Sequence, residues 1–384
     1  MPFYRKAGEV PKKRHIAFRN AAGALLPEEL VGSRGFSGPS SLLYHLRPPT
    51  ASTSFKKLRD LRLEAAEGAL APRHFRAAAL TSGPSATLDR VPLLFNADVS
   101  ISMVRPSKSD AHFYRNGLAD ELLYVHEGQG VLETSFGELA YGPGDYLVVP
   151  RGLLTRLRLG EAPHRLFVVE SPGAIRVPAR YRNEHGQMLE SSPFSERDLR
   201  GPEFRAPKDE TGEFRVLVKS GETLTECAVK NHPFDVVGWD GCYYPYAFNI
   251  LDFEPRVGRV HLPPPVHQTF EGDGFVVCSF CPRPLDFDPR SVPAPYNHSN
   301  VMSDEVLYYV RGEFTSRKGV ESGSITLHPA GLPHGPQPGR AEASIGKKET
   351  DELAVMVDTF KPLTVARGAA ALEDPAYPTS WSAP

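Results

Sequence analysis

Short apolar runs broken by turn residues recur along most of this chain. Between about 90 and 170, ELLYVHEGQGVLETSFGELAYGPGDYLVVPRG splits into apolar stretches separated by Gly and Pro, the pattern of short β-strands and tight turns. The pattern returns between 232 and 335 in FNILDF, FVVCSF, DEVLYYVRGEF and SITLHP. One segment departs from it. KKLRDLRLEAAEGAL (57–71) repeats its apolar residues every three or four positions and predicts a helix, interrupted late by Gly68. FSGPSSLLYHLRPPT reads as a turn-rich loop crossing a surface. Residues 171–215 read as a polar connection, and the tail from 362 as a strap.

The two β regions repeat one another. DELLYVHEGQG (120–130) matches DEVLYYVRGEF (304–314) without a gap, and GDYLVVPRGLLT (144–155) matches GSITLHPAGLPH (323–334) with both Pro-x-Gly turns in register. Upstream, Asn116 falls over Asn300. Two copies of one β module imply a duplicated barrel. The expected units are a mixed N-terminal segment (1–90), a first barrel with its connection (91–215), a second barrel (216–361) and a tail (362–384).

Composition supports this reading and removes others. Pro (37) and Gly (33) make up about 18% of the chain, against roughly 12% in average proteins, which disfavours long helices and suits a turn-rich all-β fold. A net charge of −2 supplies no field for nucleic acid or an anionic membrane. No run of 18 apolar residues predicts a membrane helix, and the basic start MPFYRKAGEVPKKRH has no apolar signal core, so a soluble cytoplasmic protein is expected. The four cysteines include a lone CxxC, Cys278 and Cys281, without the second pair that a zinc knuckle needs; ordinary buried thiols are expected.

The repeat locates the chemistry. Each copy reads Glu, six residues, Gly, and then Gly, five residues, Pro-x-Gly. This resembles the two signature motifs of the cupin superfamily, which implies a bicupin: a duplicated jelly-roll barrel, dominated by β structure with few short helices. At the ligand positions of such a barrel, the second copy has His298, Glu305 and His334, while the first keeps Glu121 but has Tyr114 and Thr155. The first barrel is therefore expected to be metal-free and the second to hold the site. Two His and one carboxylate are the ligand set of non-haem Fe(II) oxygenases, with Mn²⁺ and Zn²⁺ as possible alternatives. His261 and His267 lie in VHLPPPVHQTF, where prolines stiffen the backbone, and are the candidate bases. His328, six residues before His334, is a candidate support for a ligand or a buried core residue. Tyr243, Tyr244, Tyr246, Phe248 and Tyr296 either line a pocket for a flat ring or pack in the core.

VVGWDGCYYPYAFNI, VHLPPPVHQTF, PYNHSNVMSDEVLYYVRGEF and LHPAGLPHGP resemble the homogentisate 1,2-dioxygenases, in particular a shorter prokaryotic branch. The resemblance implies Fe(II) on His298, Glu305 and His334, a base at His261, and insertion of both atoms of O₂ into homogentisate to give maleylacetoacetate. It also implies a homo-oligomer, with a small aromatic substrate and O₂ as the partners. Asn300, Tyr296 and Phe314 join His328 as residues expected beside the ligands or substrate. Phe314 stands where the long members of the family carry Tyr. Gentisate, hydroxyanthranilate or a specialised phenol is the alternative substrate, and a bicupin that binds a ligand without turnover is the alternative class.

Overall fold

The computed structural model describes residues 3–81, 83–161, 163–299, 303–314 and 316–382. Strands dominate, and the only α-helix among these residues is the short Arg340–Ser344. Both repeated Pro-x-Gly turns place glycine at positive φ, 79° at Gly152 and 85° at Gly331, a region where a Cβ is strained.

The first copy builds two seven-stranded sheets. The inner one has the spatial order Tyr246–Asn249, Asp145–Val149, Asp120–Glu127, Arg165–Ser171, Ser100–Val104, Val91–Phe95, Thr364–Val365. The outer one runs from Gly137–Tyr141 through Gly130–Thr134, Thr155–Leu159 and Phe113–Asn116 to the hairpin Thr211–Ser220/Thr223–Asn231, and ends on Ser52–Asp60. Alternation decides which side chains face which layer. Leu123, Leu147 and Val168 meet Leu132 and Leu157 of the outer sheet inside the barrel. Leu122, Tyr124, Tyr146 and Phe167 turn the opposite way.

That opposite face meets the second copy. Its six-stranded sheet has the order Gln268–Gly272, Phe275–Phe280, Leu353–Thr359, Asp304–Arg311, Ile325–His328, Arg73–Phe75. Phe167 stacks on Tyr308 with ring centroids 4.8 Å apart, and the Tyr146 hydroxyl lies 2.8 Å from Ser279 Oγ. Both faces of each inner sheet are thus buried, which explains why their strands read as continuous apolar runs. The other wall of the second barrel is reduced to the ribbon Arg283–Pro284/Glu349–Thr350, a bridge between His298 and His334, and proline-rich loops. No helix among the described residues is long and apolar enough to cross a membrane.

Two local expectations are corrected. The helix expected over 57–71 is absent: Ser52–Asp60 is a strand and the residues after it are irregular. The hairpin 211–231 presents an open edge, and pairing along Thr223–Asn231 satisfies the backbone while Leu58 and Leu61 pack on Leu217 and Leu224. Tertiary pairing overrides a weak helical period. Likewise, Ser40–His45 is no surface loop. It is a buried strand between Glu28–Gly32 and Val236–Gly241, with Leu43 and Tyr44 each only 1% exposed.

Candidate metal centre

Glu305 is the second residue of Asp304–Arg311, on the face turned into the barrel. Its neighbour Asp304 ties the strand to the turn that leads to His334, accepting hydrogen bonds from the Ala330 and Leu363 amides, each at 2.7 Å. His298 and His334 are joined through their backbones by paired N–H···O bonds of 2.8 and 2.9 Å. Gly335 follows His334 because nothing larger fits: a Cβ there would lie 2.1 Å from Asn297 Oδ1 and 2.7 Å from the Asn297 Cα.

One donor atom each from His298, Glu305 and His334 falls within 4.8 Å of the others. Nδ1 of His298 lies 3.1 Å from the Tyr296 carbonyl, and Nδ1 of His334 lies 3.3 Å from that of Leu332. A carbonyl only accepts, so these nitrogens carry the protons and both Nε2 lone pairs are left for the centre. Nε2 of His334 is buried without a hydrogen-bond partner among the described residues, as a ligand atom awaiting a cation would be. The set fits a divalent transition-metal ion.

Electrostatics follow from this crowding. Burial opposes ionisation of Glu305, but the imidazoles of His298, His328 and His334 gathered around it outweigh this and hold the carboxyl well below its usual range. The neighbouring Glu305 carboxylate, opposed by burial, raises His298. Burial, with Arg317 nearby, lowers His328 to about 4. Asp358 sits directly across the ladder from Glu305, and burial together with that charge pushes it up to about 8.

The matching positions of the first barrel are arranged differently. Tyr114 pairs with Thr155 across the ladder as His298 pairs with His334. Glu121 accepts from the Tyr114 hydroxyl at 2.7 Å and from Asn116 Nδ2 at 2.9 Å. A buried guanidinium, Arg90, bridges Glu121 (2.9 Å) and Glu170 (2.8 Å). Burial opposes the charge on Glu121, yet Arg90 takes its carboxyl down to about 2.

A cavity of about 130 Å³ opens beside this cluster, with His261, His267, His298 and Glu305 on its wall. His267 is buried, its ring 4.7 Å from Phe280, and burial followed by Arg283 and His261 lowers it to about 3. His261 packs edge-on against Tyr296 at 5.2 Å, and its Nε2 has no hydrogen-bond partner among the described residues. Tyr296 itself is exposed beside His298. Phe314 packs on Tyr309 at 4.7 Å and takes no part in the cavity wall. Asn300 lies outside the described residues. Tyr243, Tyr244, Tyr246 and Phe248 are core residues, and of the two CxxC thiols, both buried, Cys281 joins the core between the sheets.

Two family models together span nearly the whole chain: the homogentisate 1,2-dioxygenase N-terminal model over residues 39–250 and the C-terminal model over 255–383. The chain belongs to the homogentisate 1,2-dioxygenase family. Among its relatives, a provisionally named dioxygenase of Saccharolobus solfataricus is 42% identical over 99% of both chains. Homogentisate 1,2-dioxygenases of Nitrobacter hamburgensis and Bradyrhizobium diazoefficiens are 30% and 29% identical over 73% of this chain. The match spans 65% of the length of each of those two enzymes. Among solved structures, protein Ylba from E. coli (11% identical, 80% of this chain and 96% of that one, TM-score 0.36) and a cupin 2 conserved barrel protein from Leptotrichia buccalis (10%, 79% and 100%, TM-score 0.35) are loosely similar.

For a member of this dioxygenase family, the structure adds residues that motif reading had missed. Arg283 lies on the cavity wall, its guanidinium 5.6 Å from the Phe280 ring and 3.7 Å from Glu352. Buried Arg317 donates to the Gly335 carbonyl at 2.8 Å. Tyr377 reaches His328 from the tail. Each comes from a segment without a repeat partner or motif spacing, so only the fold brings them to the centre.

Proposed function

We propose that this protein is an Fe(II)-dependent dioxygenase that opens the ring of homogentisate, inserting both atoms of O₂ to give maleylacetoacetate. The observation that carries the reading is the His298–Glu305–His334 cluster, of which His298 and Glu305 line a cavity that also holds His261 and His267. Iron bound there would supply a site at which a ring hydroxyl and O₂ meet. His261 is the base that takes the substrate hydroxyl proton, because its Nε2 is free of other partners. His267 is a poor acceptor, since burial has already lowered its affinity for a proton. Arg283 offers a cation to the acetate arm.

The test is anaerobic reconstitution with Fe(II), then O₂ uptake with homogentisate and mass analysis of the product, in wild type and His334→Ala. The expected result is a product heavier by both oxygen atoms in the wild type, and loss of iron and uptake in the variant. Undiminished uptake in the variant would sink the proposal. Phe314, apolar and away from the cavity, supports a second reading in which another hydroxylated aromatic is the substrate. A panel with gentisate and hydroxyanthranilate discriminates: homogentisate turning over far faster than the others removes the second reading.

A further inference from the structure

The C-terminal segment packs against the back of the metal ligands, and ring cleavage as described above makes no use of it. Tyr377 is buried in the turn Tyr377–Thr379, with its hydroxyl 3.0 Å from His328 Nε2. The other ring nitrogen, Nδ1, lies 2.8 Å from Glu305 Oε1. A carboxylate can only accept, so the imidazole proton sits on Nδ1, and Nε2 presents a lone pair to which the tyrosine hydroxyl donates. Tyr377, His328 and Glu305 thus form a one-way hydrogen-bond chain that holds one carboxylate oxygen and leaves Oε2 on the side of His298. The same segment grips the second histidine ligand from behind. Trp381 Nε1 donates to the carbonyl of Gly335 at 3.1 Å, and Gln337 Nε2 donates to Ser380 Oγ at 2.7 Å.

The internal repeat supplies an independent observation. The counterpart of His328 is Val149, which faces Glu121 across the ladder just as His328 faces Glu305. Valine carries no hydrogen bond, and Glu121 is held instead by Arg90, Tyr114 and Asn116. The relay stands beside the intact ligand set and not beside the degenerate one.

We infer that Tyr377 is a positioning residue for the metal carboxylate, acting through His328, and that docking of the C-terminal segment and loading of the ion strengthen each other. This rests on the reading of His298, Glu305 and His334 as ligands. Partners of metal ligands typically alter metal affinity by roughly 10–100-fold when removed. Coupling is also reciprocal: if the docked segment favours the ion, the ion must favour the docked segment by the same factor.

The probe is Co(II), titrated anaerobically into metal-free full-length protein and followed by its visible d–d absorption. Tyr377→Phe is expected to weaken Co(II) binding by about tenfold or more and to change the d–d spectrum. Tyr243→Phe is the control, because it also removes a buried tyrosine hydrogen bond, to the Arg151 carbonyl at 2.7 Å, but in the first barrel. It should lower the melting temperature and leave Co(II) affinity unchanged. Tyr377→Phe binding Co(II) within twofold of wild type would overturn the inference. A second measurement needs no variant: amide exchange over residues 374–382 of the wild type should slow when Co(II) is added, and unchanged exchange would also overturn it. Wild type that binds no Co(II) would instead overturn the ligand reading beneath it.

Discussion

Arg90 holds Glu121 at 2.9 Å in the place where the second barrel offers Glu305 to an ion. In the first barrel the cation beside this carboxylate is part of the chain. Its two carboxylates, Glu121 and Glu170, are both buried and both lean on that guanidinium. Arg90→Ala is therefore expected to destabilise the protein by about 3–5 kcal/mol, the range for stripping one partner from a buried ion pair. Urea unfolding measures it. A loss below about 1 kcal/mol would show that Arg90 is not the keystone of that barrel.

The two cavity histidines are expected to separate kinetically. His261→Ala should lower kcat by about 10²–10⁴-fold, the usual contribution of a positioned base, with iron content unchanged. His267→Gln should leave most of the turnover. Steady-state rates normalised to bound iron check both, and the reverse order would move the base to His267.

Arg283 should govern binding rather than chemistry if it meets a carboxylate arm. Arg283→Met is expected to raise KM for homogentisate with a small change in kcat, and to leave KM for a hydroxylated aromatic without a carboxylate unaltered. Comparing the two substrates separates a lost charge contact from a general disturbance of the cavity.

The pH dependence of stability has two limbs with named causes. His45 lies 2.7 Å from Asp235 and 3.2 Å from Glu29. Burial opposes its charge, but those partners raise it to about 9, above its unfolded value near 6.5. Its contribution is complete below about 6.5 and is lost as pH rises through 9. His126 and His232 run the other way: burial and neighbouring cations hold each at about 4, so their contribution is complete above about 6.5 and fades as pH falls toward 4. Melting temperature should therefore fall on both sides of neutrality. His45→Gln should flatten the alkaline limb, worth on the order of 2–3 kcal/mol, without altering the acid one.

The repeat made the barrels and the grouping of His298, Glu305 and His334 readable because its spacing survives in both copies, down to the Pro-x-Gly turns. The contrast of Tyr114 with His298 and Thr155 with His334 carried the asymmetry as well, since those pairs occupy matching ladder positions. Arg90, Arg283 and Tyr377 were illegible for a physical reason: each reaches its partner across the fold from a segment with no periodic cue. Leu58 and Leu61 misled because a run of apolar residues three or four apart also suits a strand whose neighbour supplies the burial.

The contact of Phe167 and Tyr146 with Tyr308 and Ser279 has a further consequence. The first barrel cannot be trimmed away without loss, because it forms the wall against which the second barrel condenses. Residues Arg73–Phe75, ahead of both repeats, also close one edge of the second sheet, and Thr364–Val365, after both, closes one edge of the first. The two halves are interleaved and should melt in a single cooperative transition. The duplicated barrels form one folding unit, so a substitution that loosens either barrel is expected to be felt in both.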